Sequence, residues 1–553
     1  MADDSAQAAD REVNNLALSA GAEDDARLIS TTTAEMTALW ADPPQTTSIN
    51  PALSRTVFKN ASANLVRVVG VGALALFVPS FLVRMLSTET YGAWALLLQV
   101  TAFVGFLDFG LQTAVARFVA HAEELQDSAQ RDGFASTACL FLVAACAFGL
   151  AVIAVMAWQL PHLFKNMPAN LQAQAQIALL LMGGSFAVSL PFSVIHAIFI
   201  GLQRNEIPVG IVLATRFTMA LLTVFVVYRH WGLVAMGAAV ALANVLSCGV
   251  TFFAWRKWAR HVSIRVGLAS RASAKEIGSY SAALMAWSAG MLMVSGLDLT
   301  IVGAFQYSAT AFYAVALTMT AFVAQAQGAI FAALLPPSAA LAARGERYKM
   351  GSLLVSSTRY GMLILLVMVL PLLLGGKTIL GIWVGSNYAA HGTEFLEVLV
   401  CANVIRLFAV PYTILLLGSG QHRKVILSPL AEGVINLVSS LIGAYLWGAI
   451  GVAIGTVIGS VVGVGLHLFY NMPRTTAIAI NRAVLLKEGL LKPLLCAAPF
   501  GLLLLYKMAA PQMSLASLGI GLSGAAVLAA PLFWHYGLIR SERQRLEALL
   551  HLS

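Results

Sequence analysis

Apolar runs of roughly 18 residues or more recur along almost the whole chain, the length a helix needs to cross about 30 Å of hydrocarbon. The runs are continuous rather than alternating, so they predict membrane helices and not a barrel of short strands. Fourteen spans are predicted: 62 to 86, 92 to 117, 134 to 157, 176 to 200, 209 to 228, 233 to 254, 281 to 304, 310 to 334, 361 to 376, 395 to 417, 427 to 446, 449 to 470, 494 to 506 and 514 to 535. The two shortest, 361 to 376 and 494 to 506, contain Pro371 and Pro499. Composition agrees, with 11% of residues charged against about a quarter in soluble domains. A soluble globule of this size could not cover its core with so few charges, and the fold class is an all-α polytopic membrane protein.

Residues 1–58 are rich in Ala, Asp, Glu and Thr and hold no apolar run suited to a signal-peptide core. They are expected to form a disordered cytoplasmic tail, with a docking arm for a partner as the alternative. Cys139, Cys146, Cys248, Cys401 and Cys496 all fall inside spans, with no CxxC pair and no nearby His cluster. They read as small packing residues rather than disulfide or zinc ligands. No GxxxxGK loop is present, so direct ATP drive is not supported and no cofactor is expected.

Positive charge is retained on the cytoplasmic side of a membrane protein. Of 34 Lys and Arg, five lie within spans and four (Lys165, Arg229, Lys377 and Lys507) lie on one side, which leaves 25 on the other, Arg359 being assigned to a loop. Both termini are therefore expected in the cytoplasm. The largest contribution is the loop holding Arg256, Lys257, Arg260, Arg265, Arg271 and Lys275. Topology accounts for the net charge of +9, and no nucleic-acid partner is expected.

Dividing the chain at that loop brings out a weak repeat. Pro191 is followed by GLQRNEIP at 201 to 208, and Pro411 by GSGQHRKV at 418 to 425. Each precedes a span, a short outer turn and a Gly/Ala-rich span, GLVAMGAAV at 232 to 240 against GAIGVAIGT at 448 to 456. An even number of helices per unit puts both copies the same way up, a parallel repeat. The expected organisation is a tail (1–58), a six-helix bundle (59–255), a basic linker (256–280), a second six-helix bundle (281–470), and two further helices with a cytoplasmic tail (471–553).

Charges within spans are costly unless paired or facing water. They comprise Arg67, Arg84, Arg117, Arg216 and Arg406 against Asp108, Asp298 and Glu432. That balance suits an anionic substrate better than a cationic drug. Arg216 and Arg406 are expected to line a central cavity, with a buried pair to Asp108 or Asp298 as the competing account. Arg67, Arg84 and Arg117 lie near span ends, where a long side chain can snorkel; Arg67 and Arg84 are retained as substrate-binding candidates. Asp108, Asp298 and Glu432 are candidates for ion coupling, with fixed helix-helix hydrogen bonds as the alternative. Gly105, Gly110, Gly237, Gly451, Gly455 and Gly459 read either as hinges or as sites of close helix packing.

The turn STETYGAWAL at 87 to 96, LDFGLQTAVARF at 107 to 118, the GLQRNEIP loop and LLPPSAALAARGE at 334 to 346 resemble the polysaccharide transporters of the multidrug, oligosaccharidyl-lipid and polysaccharide exporter superfamily. The resemblance covers roughly residues 58 to 535. It implies a flippase of the bacterial inner membrane that carries an undecaprenyl-pyrophosphate-linked glycan outward, with Arg216 and Arg406 holding the pyrophosphate. A polysaccharide polymerase or export machinery is an expected partner. Lipid-linked peptidoglycan precursor flippases share the fourteen-helix plan and are the runner-up. Drug and cation antiporters of the superfamily often use a carboxylate in the first span, which here carries Asn64, Arg67 and Arg84 instead. A membrane-embedded glycan polymerase or ligase is disfavoured because the long internal loop is basic, and His162, Trp383, His391 and Glu394 in the outer loops at 158 to 175 and 377 to 394 are too sparse for a reaction centre.

Overall fold

The computed structural model describes residues 70–421, 425, 427–509, 515–538, 543, 544 and 547. The tail, Arg67 and the start of the first span lie outside the described residues. Among those residues every regular element is helical, and each predicted span has its helix: α1 Gly70–Met85, α2 Thr88–Glu124, α3 Ser128–Leu163, α4 Ala169–Gly201, α5 Glu206–Tyr228, α6 Gly232–Trp258, α7 in two pieces (Arg271–Ser295 and Asp298–Phe305), α8 Tyr307–Ala343, α9 Arg347–Val384, α10 Ser386–Gly418, α11 Leu427–Trp447, α12 Ala449–Arg474, α13 Arg482–Lys507 and α14 Ala516–Gly537. Twelve of these are long and apolar enough to cross a bilayer; α7 bends by 41° at its break, and α1 is a shorter apolar helix.

The helices outrun their apolar cores. The span expected at 361 to 376 is the 38-residue α9, and that at 494 to 506 is the 26-residue α13. Arg359, expected in a loop, is buried inside α9 and paired with Glu488 of α13, which also holds Lys492. Polar groups that find partners on a neighbouring helix let the helix continue where hydropathy alone ends it. The outer loop expected at 377 to 394 is likewise helical on both sides of Gly385, whose φ of 102° makes the reversal. The expected linker of 256 to 280 shortens to the stretch between Trp258 and Arg271. It is strapped to the start of α3: Arg131 donates to the His261 carbonyl at 2.9 Å, and Ser136 and Thr137 accept from the backbone of Arg265 and Ser270.

The two halves repeat each other's packing. Helix α4 packs on α2, α3 and α6, and α5 packs on α6; in the second half α10 packs on α8, α9 and α12, and α11 on α12. The interruptions repeat as well. Helices α2 and α8 change to 3-10 geometry at Phe106–Asp108 and Ala332–Leu334, α4 does so at Leu190–Phe192, and α10 is interrupted at Phe408 and Ala409 just before Pro411. Prolines 191, 336, 337 and 411 sit at or beside these breaks, where a missing N–H costs least. Helices α13 and α14 pack on α9 and on each other.

The halves meet along α1 and α2 against α7, α8 and α9. Trp383 of α9 donates to the Leu76 carbonyl at 2.8 Å, Ser80 donates to the Trp383 carbonyl at 2.6 Å, and Tyr307 donates to the Glu89 carbonyl at 2.7 Å. These bonds lie at the end of the bundle opposite the basic linker.

Candidate substrate cavity

Two cavities adjoin, one between the halves and one within the second half, sharing Gln99 of α2 and Leu317 and Ala321 of α8 as their common wall. The first, of about 420 Å³, lies among α1, α2, α5 and α8 and is lined mostly by apolar side chains, with Arg216 its charged residue. The second, of about 480 Å³, lies among α7, α8, α10, α11 and α12 and holds Asp298, Arg406 and Glu432. Each half thus contributes one cavity arginine, Arg216 on its fifth helix facing the interface and Arg406 on its fourth inside the second half.

Arg216 is exposed into its cavity and has neither an ion pair nor a hydrogen bond among the described residues. A guanidinium so placed would cost at least a few kcal/mol against lipid, so its position between the halves follows from its charge. Arg406 differs. Its Nε lies 3.3 Å from Glu432 Oε1, and it donates to Ser460 Oγ at 3.3 Å. The pair expected with Asp108 or Asp298 is thus corrected to one with Glu432, itself one of the coupling candidates.

The second cavity is assembled by a glycine seam. Gly451, Gly455, Gly459 and Gly463 of α12 recur every fourth residue and so share one face, and a Cβ on any of them would strike Gly443, Ser440, Asn436 or Glu432 of α11. Close approach of the two helices sets Glu432 and Asn436 beside α12. Asn436 donates to the carbonyls of Met293 and Val294 at 3.1 and 2.7 Å, and Gln99 donates to that of Gly296 at 2.6 Å. These are carbonyls at the α7 break, which must be satisfied internally in a bilayer. Asp298 opens the second piece of α7, 2% exposed, and accepts from Thr456 Oγ1 at 3.0 Å. Sequence reasoning passed over Gln99, Asn436, Thr456 and Ser460; lone amide side chains in apolar spans and the four-residue glycine period of α12 were the available signals.

The remaining candidates stand elsewhere. Arg84 donates to the carbonyls of Ile382 and Trp383 at 2.8 and 3.3 Å, binding the end of α9. Asp108 sits at the α2 break, where Phe109 and Gly110 have φ of 50° and 72°. It accepts from the Gln112 backbone at 3.3 Å and from Ser193 Oγ at 3.1 Å, joining the breaks of α2 and α4. Arg117 lies over the Tyr280 ring at 5.0 Å. None of the three lines either cavity.

A family model described as "Polysaccharide biosynthesis protein" matches residues 81–391. That stretch includes Arg84, Asp108, Arg216 and Asp298 and stops before Arg406 and Glu432. No curated protein matches the chain. Among solved structures, an inward-facing multidrug resistance MATE family transporter of the MOP superfamily superposes with a TM-score of 0.63 at 17% identity, over 77% of this chain and 99% of its own. The lipid II flippase MurJ in an inward closed conformation superposes with a TM-score of 0.63 at 12% identity, over 86% of this chain and 99% of its own. The Vibrio cholerae MATE transporter VcmN in its bent form gives 0.53 at 13% identity, over 80% of this chain and 98% of its own. At these identities the likeness is one of fold.

Proposed function

The chain belongs to the polysaccharide biosynthesis protein family, and from that premise we propose that it flips an undecaprenyl-pyrophosphate-linked oligosaccharide or polysaccharide repeat unit across the bacterial inner membrane by alternating access. In this reading it is a secondary-type transporter rather than an enzyme, its basic face and both termini are cytoplasmic, and a polysaccharide polymerase or export complex receives the product. The observation that carries it is Arg216, an unmatched guanidinium exposed in a mostly apolar cavity between the two halves. A guanidinium meets phosphate oxygens bidentately, where Lys offers a point charge, and the apolar walls suit the first prenyl units better than sugar.

Arg406 is the second anchor. Glu432 holds it until a diphosphate competes for the guanidinium, which links substrate binding to the release of a carboxylate in the second cavity. Glu432 and Asp298 are the groups proposed to take up a coupling cation or proton at that point. Arg67, outside the described residues, keeps its assignment from sequence, whereas Arg84 is engaged at the end of α9.

A peptidoglycan-precursor flippase would use the same lipid pyrophosphate chemistry, and the fold likeness to a lipid II flippase keeps that second reading in view. Proteoliposomes carrying a fluorescent undecaprenyl-pyrophosphate glycan test both. Transport that falls to background with R216Q and partly with R216K is expected. Parental transport by R216Q would overturn the anchor, and transport of muropeptide-bearing lipid in preference to simple glycans would select the second reading.

A further inference from the structure

On the face that carries the basic linker, a groove of about 700 Å³ opens between the start of α9, the end of α12 and the start of α13. Arg347 and Arg482 line it, with Tyr348 beside them and Leu468, Phe469 and Leu486 supplying apolar wall. It is separate from the two adjoining cavities and shares no residue with them.

Several cations on this face have partners. Lys349 pairs with Glu346 at 3.1 Å, and Arg359 and Lys492 share Glu488. Arg474 stacks on the Tyr470 ring at 3.8 Å and donates to the Tyr470 carbonyl. Arg347 and Arg482, by contrast, have no carboxylate within ion-pair distance and no side-chain hydrogen bond among the described residues. Their spacing is held by the backbone, since Ala479 N–H donates to the Arg347 carbonyl at 3.0 Å. Beside them the π-helical turn His467–Asn471 presents Phe469, 72% exposed, while Leu468 is mostly buried at the groove floor.

Two unmatched guanidinium groups at the helix ends, next to the apolar side chains of Phe469 and Leu486, match a ligand with a phosphate at one end and a hydrocarbon chain at the other. Basic pockets between membrane helices at this depth are complementary to anionic head groups. We infer that this groove binds an anionic phospholipid of the leaflet it faces, with the phosphate between Arg347 and Arg482 and an acyl chain along Leu468, Phe469 and Leu486. A free phosphate ion would satisfy the arginines and leave the apolar side chains unused.

Native mass spectrometry of the full chain released from detergent, titrated with phosphatidylglycerol or phosphatidylcholine, tests the inference. The parent should retain phosphatidylglycerol preferentially, R347Q/R482Q should bind it at least about tenfold more weakly, and R347K/R482K, which keeps both charges, should fall between. Millimolar inorganic phosphate should not displace the lipid. Equal retention by the double Gln variant, equal binding of phosphatidylcholine, or displacement by inorganic phosphate would each overturn it, the last in favour of a soluble-anion site. Melting of each variant near the parental temperature shows that lost binding is not lost folding.

Discussion

Arg406 of α10 and Glu432 of α11 face each other across the second cavity with 3.3 Å between Nε and Oε1, while Arg216 stands in the adjoining cavity without a counter-ion among the described residues. The two intramembrane arginines are thus electrically different. On the proposed function, an anionic substrate would find the charge of Arg216 uncompensated and would gain Arg406 only by displacing a carboxylate. In the proposed function that difference sets an order of engagement, with capture at Arg216 and a response from the Arg406 pair.

The first prediction separates the two roles by stability. R406Q leaves a buried carboxylate without its cation, and breaking such a pair costs about 3–5 kcal/mol. R406Q should therefore melt well below the parent in detergent, and R406Q/E432Q should recover much of the loss. R216Q removes no protein partner, so its stability should stay within about 0.5 kcal/mol of the parent even though transport is lost. Additive melting shifts in the R406Q and E432Q cycle would show that the pair is not coupled.

A second prediction concerns Asp108. Its carboxylate bridges the breaks of α2 and α4 through Gln112 and Ser193, and Asn retains an oxygen for one of these donors. D108N should fold and transport close to the parental rate across a pH series. D108A leaves the backbone N–H of Gln112 unsatisfied, at about 1–3 kcal/mol. D298N, by contrast, alters the carboxylate inside the second cavity and should abolish stimulation by an imposed ion gradient. A D108N variant that lost that stimulation while D298N kept it would reverse the assignment.

The spans were legible because most are long and predominantly apolar, and the arginines at 216 and 406 stood out because a charge mid-span has nowhere else to go. Helix ends were less legible. Trp383, Arg359 and Glu488 are polar or amphipathic residues whose partners lie on other helices, and no local pattern reveals a partner more than a hundred residues away. The same holds for Glu432: its place on α11 is readable, but its pairing depends on how closely α11 and α12 approach. The role of Asn436 depends on the α7 break at Ser295 to Leu297, which Gly296 marks only weakly in the sequence.

Orientation provides a third prediction. Ser386, Lys165, Ser270 and Arg347 are all exposed, so single cysteines there, in a background lacking the five native ones, should be accessible from whichever side they face. Those at 386 and 165 should react with an impermeant thiol reagent in intact cells, and those at 270 and 347 only after the membrane is opened. Labelling of the second pair in intact cells would reject the proposed topology.

The last prediction is that the glycine seam of α12 sets the geometry of the second cavity. A Cβ at Gly459 would lie against the side chain and Cα of Asn436, so G459V must push α11 away from α12. Overpacking of this kind costs about 1–3 kcal/mol. The displacement also draws Asn436 from the carbonyls of Met293 and Val294, and each buried carbonyl left unpaired costs about another 1–3 kcal/mol. The α7 break then loses its support and Asp298 its fixed position beside Thr456. Gly249 of α6 is the control, because no heavy atom lies within 4 Å of a Cβ placed there, and G249A should be neutral or slightly stabilising through helix propensity. G459V should therefore melt several degrees below G249A and weaken gradient-driven transport even in the folded fraction. Equal melting of the two variants would mean that the seam is compliant and that Glu432 and Asn436 are positioned by other contacts.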